Sequence, residues 1–96
     1  MSDITFTWHP AKNTTNKRKH GVSFEEAQTV FLDENAQFMD DPDHSIEEER
    51  FLLLGLSTSL RMLVVCHCYR ESNEIIRIIS ARKATPRETQ MYRYGG

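Results

Sequence analysis

Three apolar segments, residues 50–57, 61–69 and 74–81, follow one another across two short polar breaks, Thr58-Ser59 and Arg70-Glu71-Ser72-Asn73. Each is strand-sized and breaks this short join antiparallel neighbours, so the second half of the chain is committed to a meander. A sheet of this kind must bury a face, and the rest of the chain has to supply the cover. Ile4, Phe6 and Trp8 alternate with Thr5 and Thr7, which predicts a short strand over 4–8 with one aromatic face. Pro10 opens a polar, basic stretch that runs without further proline to Gly21, a helix over 10–20 with its C-terminal cap. Its late bases Lys17, Arg18 and Lys19 lie at the negative end of the helix dipole. Ser23 and Glu26 have capping-box spacing, and Phe24, Ala27, Val30 and Phe31 recur at helical intervals, which predicts a second helix over 24–32. A short strand over 36–39 and an acidic, turn-rich loop from Asp40 to Ser45 lead into the meander. After it, Thr85 as cap and Pro86 at the first position start a last helix. The expected fold is α+β: an antiparallel sheet of three to five strands with two N-terminal helices and one C-terminal helix.

A chain of 96 residues holds one domain, 1–96, and buries only roughly 60–65% of its unfolded surface, too little for a deep cofactor cavity. No cofactor is expected. No apolar run approaches the ~20 residues of a membrane span, and MSDITFTWHP lacks the basic flank and apolar centre of a secretory signal. The expected location is cytoplasmic, away from membranes. Cys66 and Cys68, two apart in an apolar strand, read as buried thiols and not as a disulfide framework.

The net charge of −2 conceals a segregation. Residues 1–24 carry Lys12, Lys17, Arg18 and Lys19 against Asp3, a balance of +3; residues 25–50 carry ten acids against Arg50, a balance of −9. Residues 51–96 return to +4, seven bases against Glu71, Glu74 and Glu88. Two basic segments bracketing an acidic one suit a fold with a basic face, the electrostatic footprint of a polyanion partner. The acidic stretch from Asp40 to Glu49 reads as solvated surface or as a docking strip for a basic partner.

No phosphate-binding, dinucleotide, nucleophile-elbow or HExxH signature is present. Cys66-His67-Cys68 does not make a metal site, because on a strand His67 projects from the face opposite the cysteines. What recurs instead is a set of cations, imidazoles and a phenol: Lys12, Lys19, His20, His67, Arg70, Arg77, Arg82, Lys83 and Tyr92, with Glu88 one helical turn before Tyr92. Arg77 interrupts Ile75-Ile76-Arg77-Ile78-Ile79, where even partial burial demands a carboxylate or phosphate partner. A five-residue loop, Arg70 to Glu74, sets His67 opposite Arg77, and a four-residue loop sets it opposite Ile76. Converging, such groups suit metal-free cleavage of an RNA phosphodiester, which needs a base for the 2′-hydroxyl, cations for the developing charge and an acid for the 5′-oxygen. Without that convergence the basic face is a binding module that cleaves nothing.

The strings Phe6-Thr7-Trp8-His9-Pro10-Ala11-Lys12-Asn13, Arg18-Lys19-His20-Gly21-Val22-Ser23-Phe24-Glu25-Glu26-Ala27, Asp41-Pro42-Asp43-His44-Ser45 and Ile76-Arg77-Ile78-Ile79-Ser80-Ala81-Arg82-Lys83-Ala84-Thr85, with Glu88 and Tyr92, carry a likeness over nearly the whole chain. It resembles the BrnT family of ribonuclease toxins of type II toxin-antitoxin modules, departing at His9, where the family usually has an acid. The resemblance implies a RelE-like toxin that cleaves RNA and arrests translation. A BrnA-type antitoxin would neutralise it and bring the complex to operator DNA. By position it implies Lys19, His20, His67, Arg77, Arg82 and Tyr92 for RNA binding and cleavage; together with the residue pattern the expected site has His20, His67, Arg77, Arg82 and Tyr92 as catalytic, Lys12, Lys19, Arg70 and Lys83 as RNA-binding, and Glu88 as support.

Overall fold

The computed structural model describes residues 4–41 and 49–95; residues 42–48, most of the expected acidic loop, lie outside them. The order is β1 (Thr5–Thr7), α1 (Pro10–His20), α2 (Phe24–Thr29), a 3-10 turn (Val30–Leu32), β2 (Gln37–Asp40), β3 (Phe51–Leu56), β4 (Met62–Arg70), β5 (Ile75–Lys83) and α3 (Pro86–Arg93). The five strands form one sheet in the order β1-β5-β4-β3-β2. β2 to β5 are antiparallel neighbours and β1 adds to the β5 edge in parallel. The expected α+β domain is therefore present, with β1 as its one parallel strand among those described.

The helix boundaries follow from local chemistry. Gly21 takes φ 69° and its N–H closes α1 onto the Lys17 carbonyl. Ser23 Oγ accepts the Glu26 N–H at 3.0 Å, but the reciprocal half of the box is absent because Glu26 gives its carboxylate to Arg61 and Ser57. At Thr85 both halves are made, with Glu88 as the returning carboxylate. The predicted second helix tightens into the 3-10 turn at Val30.

Strands paired in register share a face, so the pairing sorts the sheet into two sides. On the inner side Leu53, Leu63, Val65, Ile78 and Ala81 pack against Val22, Phe24, Ala27 and Val30 of the helical segment. Each buried Val, Leu, Ile or Phe among them stabilises the fold by about 1.5–3 kcal/mol. The outer side carries Leu54 and Val64, Cys66 and Cys68, and Arg77 and Arg82. α3 crosses this side, tied by Gln37 Nε2 to the Met91 carbonyl at 3.2 Å.

Neither expected register of the β4–β5 hairpin is adopted. Arg70 pairs with Ile75, so the turn is Glu71 to Glu74, and Glu71, Ser72 and Asn73 all take positive φ. Three consecutive left-handed residues let both strands pair right up to the turn. Cys66 then faces Ser80 while His67 faces Ile78, leaving Ile79 as the extra residue of a bulge. Arg77 sits opposite Cys68.

Candidate functional site

β1 pairs with β5 only from Ile75 to Arg77, so the β5 edge beyond Arg77 has no strand beside it there. α1 occupies that place. Lys12, Asn16, Lys19 and His20 fall on successive turns of one helix face, and that face meets Ile79 and Ser80 across a groove of about 340 Å³. Lys12 and Lys19 are exposed and His20 half-buried. The structure thus brings together three of the expected residues and adds His9 at the other end of α1. The Ala11 N–H donates to His9 Nδ1 at 3.2 Å, which caps the helix and, in the neutral ring, assigns the proton to Nε2.

Arg77 approaches this groove along two chains. It pairs with Thr7, two residues before His9, and lies two residues before Ile79. It is half-buried on the outer face, and among the described residues no hydrogen bond or ion pair holds it. Next to it Ser80 faces the same side, since it pairs with Cys66.

The other expected residues are engaged elsewhere. Arg82 Nη1 and Nη2 donate to both oxygens of Glu88 at 2.8 and 2.9 Å, and this bond holds the Glu88 carboxyl down at about 2. Tyr92 donates its hydroxyl to Asp33 Oδ2 at 2.8 Å, and that carboxylate acceptor raises the phenol pKa. Lys83 is exposed at the end of β5, on the inner side, near enough to Glu26 to lower its pKa slightly, the larger cause being the Arg61 hydrogen bonds. Arg70 stands at the hairpin end, beside a different cavity lined by Glu49, Phe51 and Tyr69.

His67 departs furthest from expectation. It has no exposed surface and its ring is enclosed by Phe31, Phe38, Phe51 and Tyr69, with centroids at 4.8 to 6.2 Å. Nδ1 lies 3.2 Å from the Val65 carbonyl, Nε2 is buried without a partner, and burial lowers the pKa. This is a neutral imidazole serving as a core ring, and it presents no atom to an RNA. The Cys66 thiol is pushed up to about 11 by burial and the nearby Asp41, which leaves it protonated and unreactive. Among the described residues no three His, Cys, Asp or Glu side chains are grouped to hold a metal ion, and no helix is long and apolar enough to cross a membrane.

His9, Asn16 and Ser80 were not among the candidates read from sequence. The signal for Asn16 was the one buried position on a helix with no apolar face, which only the docked structure reveals.

A family model described as the ribonuclease toxin BrnT of type II toxin-antitoxin systems matches residues 8–88. Among solved structures, the 1.1 Å crystal structure of the Brucella abortus ribonuclease toxin BrnT superimposes with a TM-score of 0.64 at 22% identity, covering 88% of this chain and 99% of that one. At that identity the likeness is one of fold. No curated protein matches the chain.

Proposed function

This chain belongs to the BrnT family of ribonuclease toxins of type II toxin-antitoxin systems, and from that membership we propose that it cleaves RNA without a metal, along the groove between α1 and the β5 edge. The carrying observation is Arg77, a half-buried guanidinium that no described residue pairs, two residues along β5 from Ile79 of a groove rimmed by Lys12, Lys19 and His20. A partly desolvated arginine of this kind is completed by a phosphate. In this reading Lys12 and Lys19 hold the RNA backbone and Arg77 stabilises charge on the scissile phosphate. His20 carries an imidazole, the side chain suited to proton exchange near neutral pH, and moves the proton of the 2′-hydroxyl or of the leaving 5′-oxygen. The proposed setting is the cytoplasm, with a BrnA-type antitoxin as the neutralising partner and operator DNA reached only through it.

The test is to incubate the purified chain with a folded RNA in EDTA, beside Arg77→Ala, and to analyse the 3′ ends. Cleavage that survives the chelator, leaves 2′,3′-cyclic phosphate and falls roughly 10²–10³-fold in the variant supports the proposal. Loss of cleavage in EDTA removes metal independence.

A second reading has one observation in its favour. Three of the five residues expected to be catalytic are held inside the protein: Arg82 and Tyr92 by carboxylates, and His67 by burial among aromatic rings. A basic face that binds RNA or a partner without turnover needs none of them, and it predicts intact RNA with steeply salt-dependent binding.

A further inference from the structure

We propose that Asn16 is the positioning residue of the groove: its carboxamide holds α1 against β5 and thereby sets where Lys12, Lys19 and His20 stand relative to Ser80 and Arg77. The inference rests on the RNA reading of this groove and adds to it the part that fixes its geometry.

α1 is a helix without an apolar stripe, and Asn16, 6% exposed, is its one buried residue. Hydrophobic burial therefore does not dock it. Instead Asn16 Nδ2 donates to the Val22 and Ala81 carbonyls, both at 2.8 Å, and Oδ1 accepts the Ala81 N–H at 3.1 Å. Ala81 thus gives and receives the pair of bonds that a neighbouring strand would supply, on the edge that β1 leaves after Arg77. The bond to Val22 reaches the chain just past Gly21 and fixes the end of the helix where His20 sits.

Directional bonds constrain what apolar contact does not. A greasy face tolerates sliding and rotation of the helix, whereas three hydrogen bonds to one amide fix both. Lys12 lies one turn before Asn16, and Lys19 and His20 one turn after, so their placement follows from it. The neighbouring Asn13 makes different bonds. Its Oδ1 accepts the Phe24 N–H at 2.8 Å and its Nδ2 donates to Glu25 at 2.9 Å, which ties α1 to α2 and not to β5. That difference supplies an internal control.

The experiment is a double-mutant cycle on the full chain, read as affinity for a single-stranded RNA oligonucleotide whose 2′-O-methyl riboses prevent cleavage. Lys19→Ala is expected to lower affinity about tenfold in the natural sequence and in Asn13→Ala, but less than about twofold in Asn16→Ala, where the lysine is already misplaced. Asn16→Ser replaces Asn16→Ala in the cycle should the alanine variant fail to unfold cooperatively. An undiminished tenfold effect in the Asn16 background overturns the positioning role while leaving the RNA site standing. No effect of Lys19→Ala in the natural sequence overturns the RNA site itself, and the positioning role with it.

Discussion

Arg82 and Glu88 close a two-pronged ion pair where β5 passes into α3, and the same Glu88 Oε1 accepts the Thr85 N–H at 2.8 Å. One carboxylate therefore caps a helix and anchors it to the sheet. This explains why its pKa falls to about 2 and why Arg82, which the family resemblance implies as catalytic, is engaged by Glu88 in this structure.

Glu88→Gln keeps the cap acceptor and removes the charge. It is expected to cost about 1 kcal/mol near neutral pH, a modest value because the Arg82 side chain is 40% exposed. A carboxyl depressed in the folded state stabilises above its unfolded value of about 4.3 and loses that contribution as pH falls towards 2. Denaturant midpoints of the two proteins should thus differ at pH 6 and converge by about pH 2.

His67→Phe preserves a ring among Phe31, Phe38, Phe51 and Tyr69 and removes the unpartnered Nε2. The folded-state pKa of His67 is lowered by burial, so the unfolded chain binds the proton more readily and stability drains as pH falls below about 6.5. The variant should show a flatter stability profile below about pH 6.5 and keep RNA cleavage; lost cleavage with an intact fold would restore a catalytic role to this histidine. His67→Ala leaves a cavity and is expected to cost about 2–4 kcal/mol.

Tyr92→Phe removes the hydroxyl that α3 donates to Asp33. The expected cost is about 1 kcal/mol with cleavage unchanged, measured by thermal unfolding and single-turnover rates side by side. A selective fall in rate would mean that the phenol leaves Asp33 when RNA binds.

Gly55→Ala tests a close approach of β3 to the segment that follows α2. A Cβ there would stand 2.8 Å from Val30 Cγ1 and 2.9 Å from Ala36 Cβ, neither of which is the end of a flexible side chain. Overpacking of this kind should cost about 1–3 kcal/mol, seen as a lowered denaturant midpoint with an unchanged slope.

The local chemistry of this chain was legible one residue at a time. Pro10, Gly21, Ser23, Thr85 and Pro86 start or stop helices through their own backbone preferences, and the structure places α1 and α3 where those residues put them. The meander was equally readable, because three apolar runs and two polar breaks leave few other arrangements.

The sequence by itself determined the element order, the α+β class and, through its motifs, membership of a ribonuclease toxin family. Tertiary structure alone decided which polar groups remain available. Arg77, Arg82, His67 and Tyr92 look alike as candidates along the chain, yet only Arg77 lacks a partner among the described residues, while Glu88, Val65 and Asp33 engage the others. The hairpin turn of three left-handed residues and the bulge at Ile79 set which face each side chain takes. Asn16, inconspicuous in sequence, became the link between helix and sheet. The physical reason is the same in each case: periodicity and capping depend on neighbours in sequence, whereas burial and hydrogen-bond partnership depend on residues brought close from far along the chain.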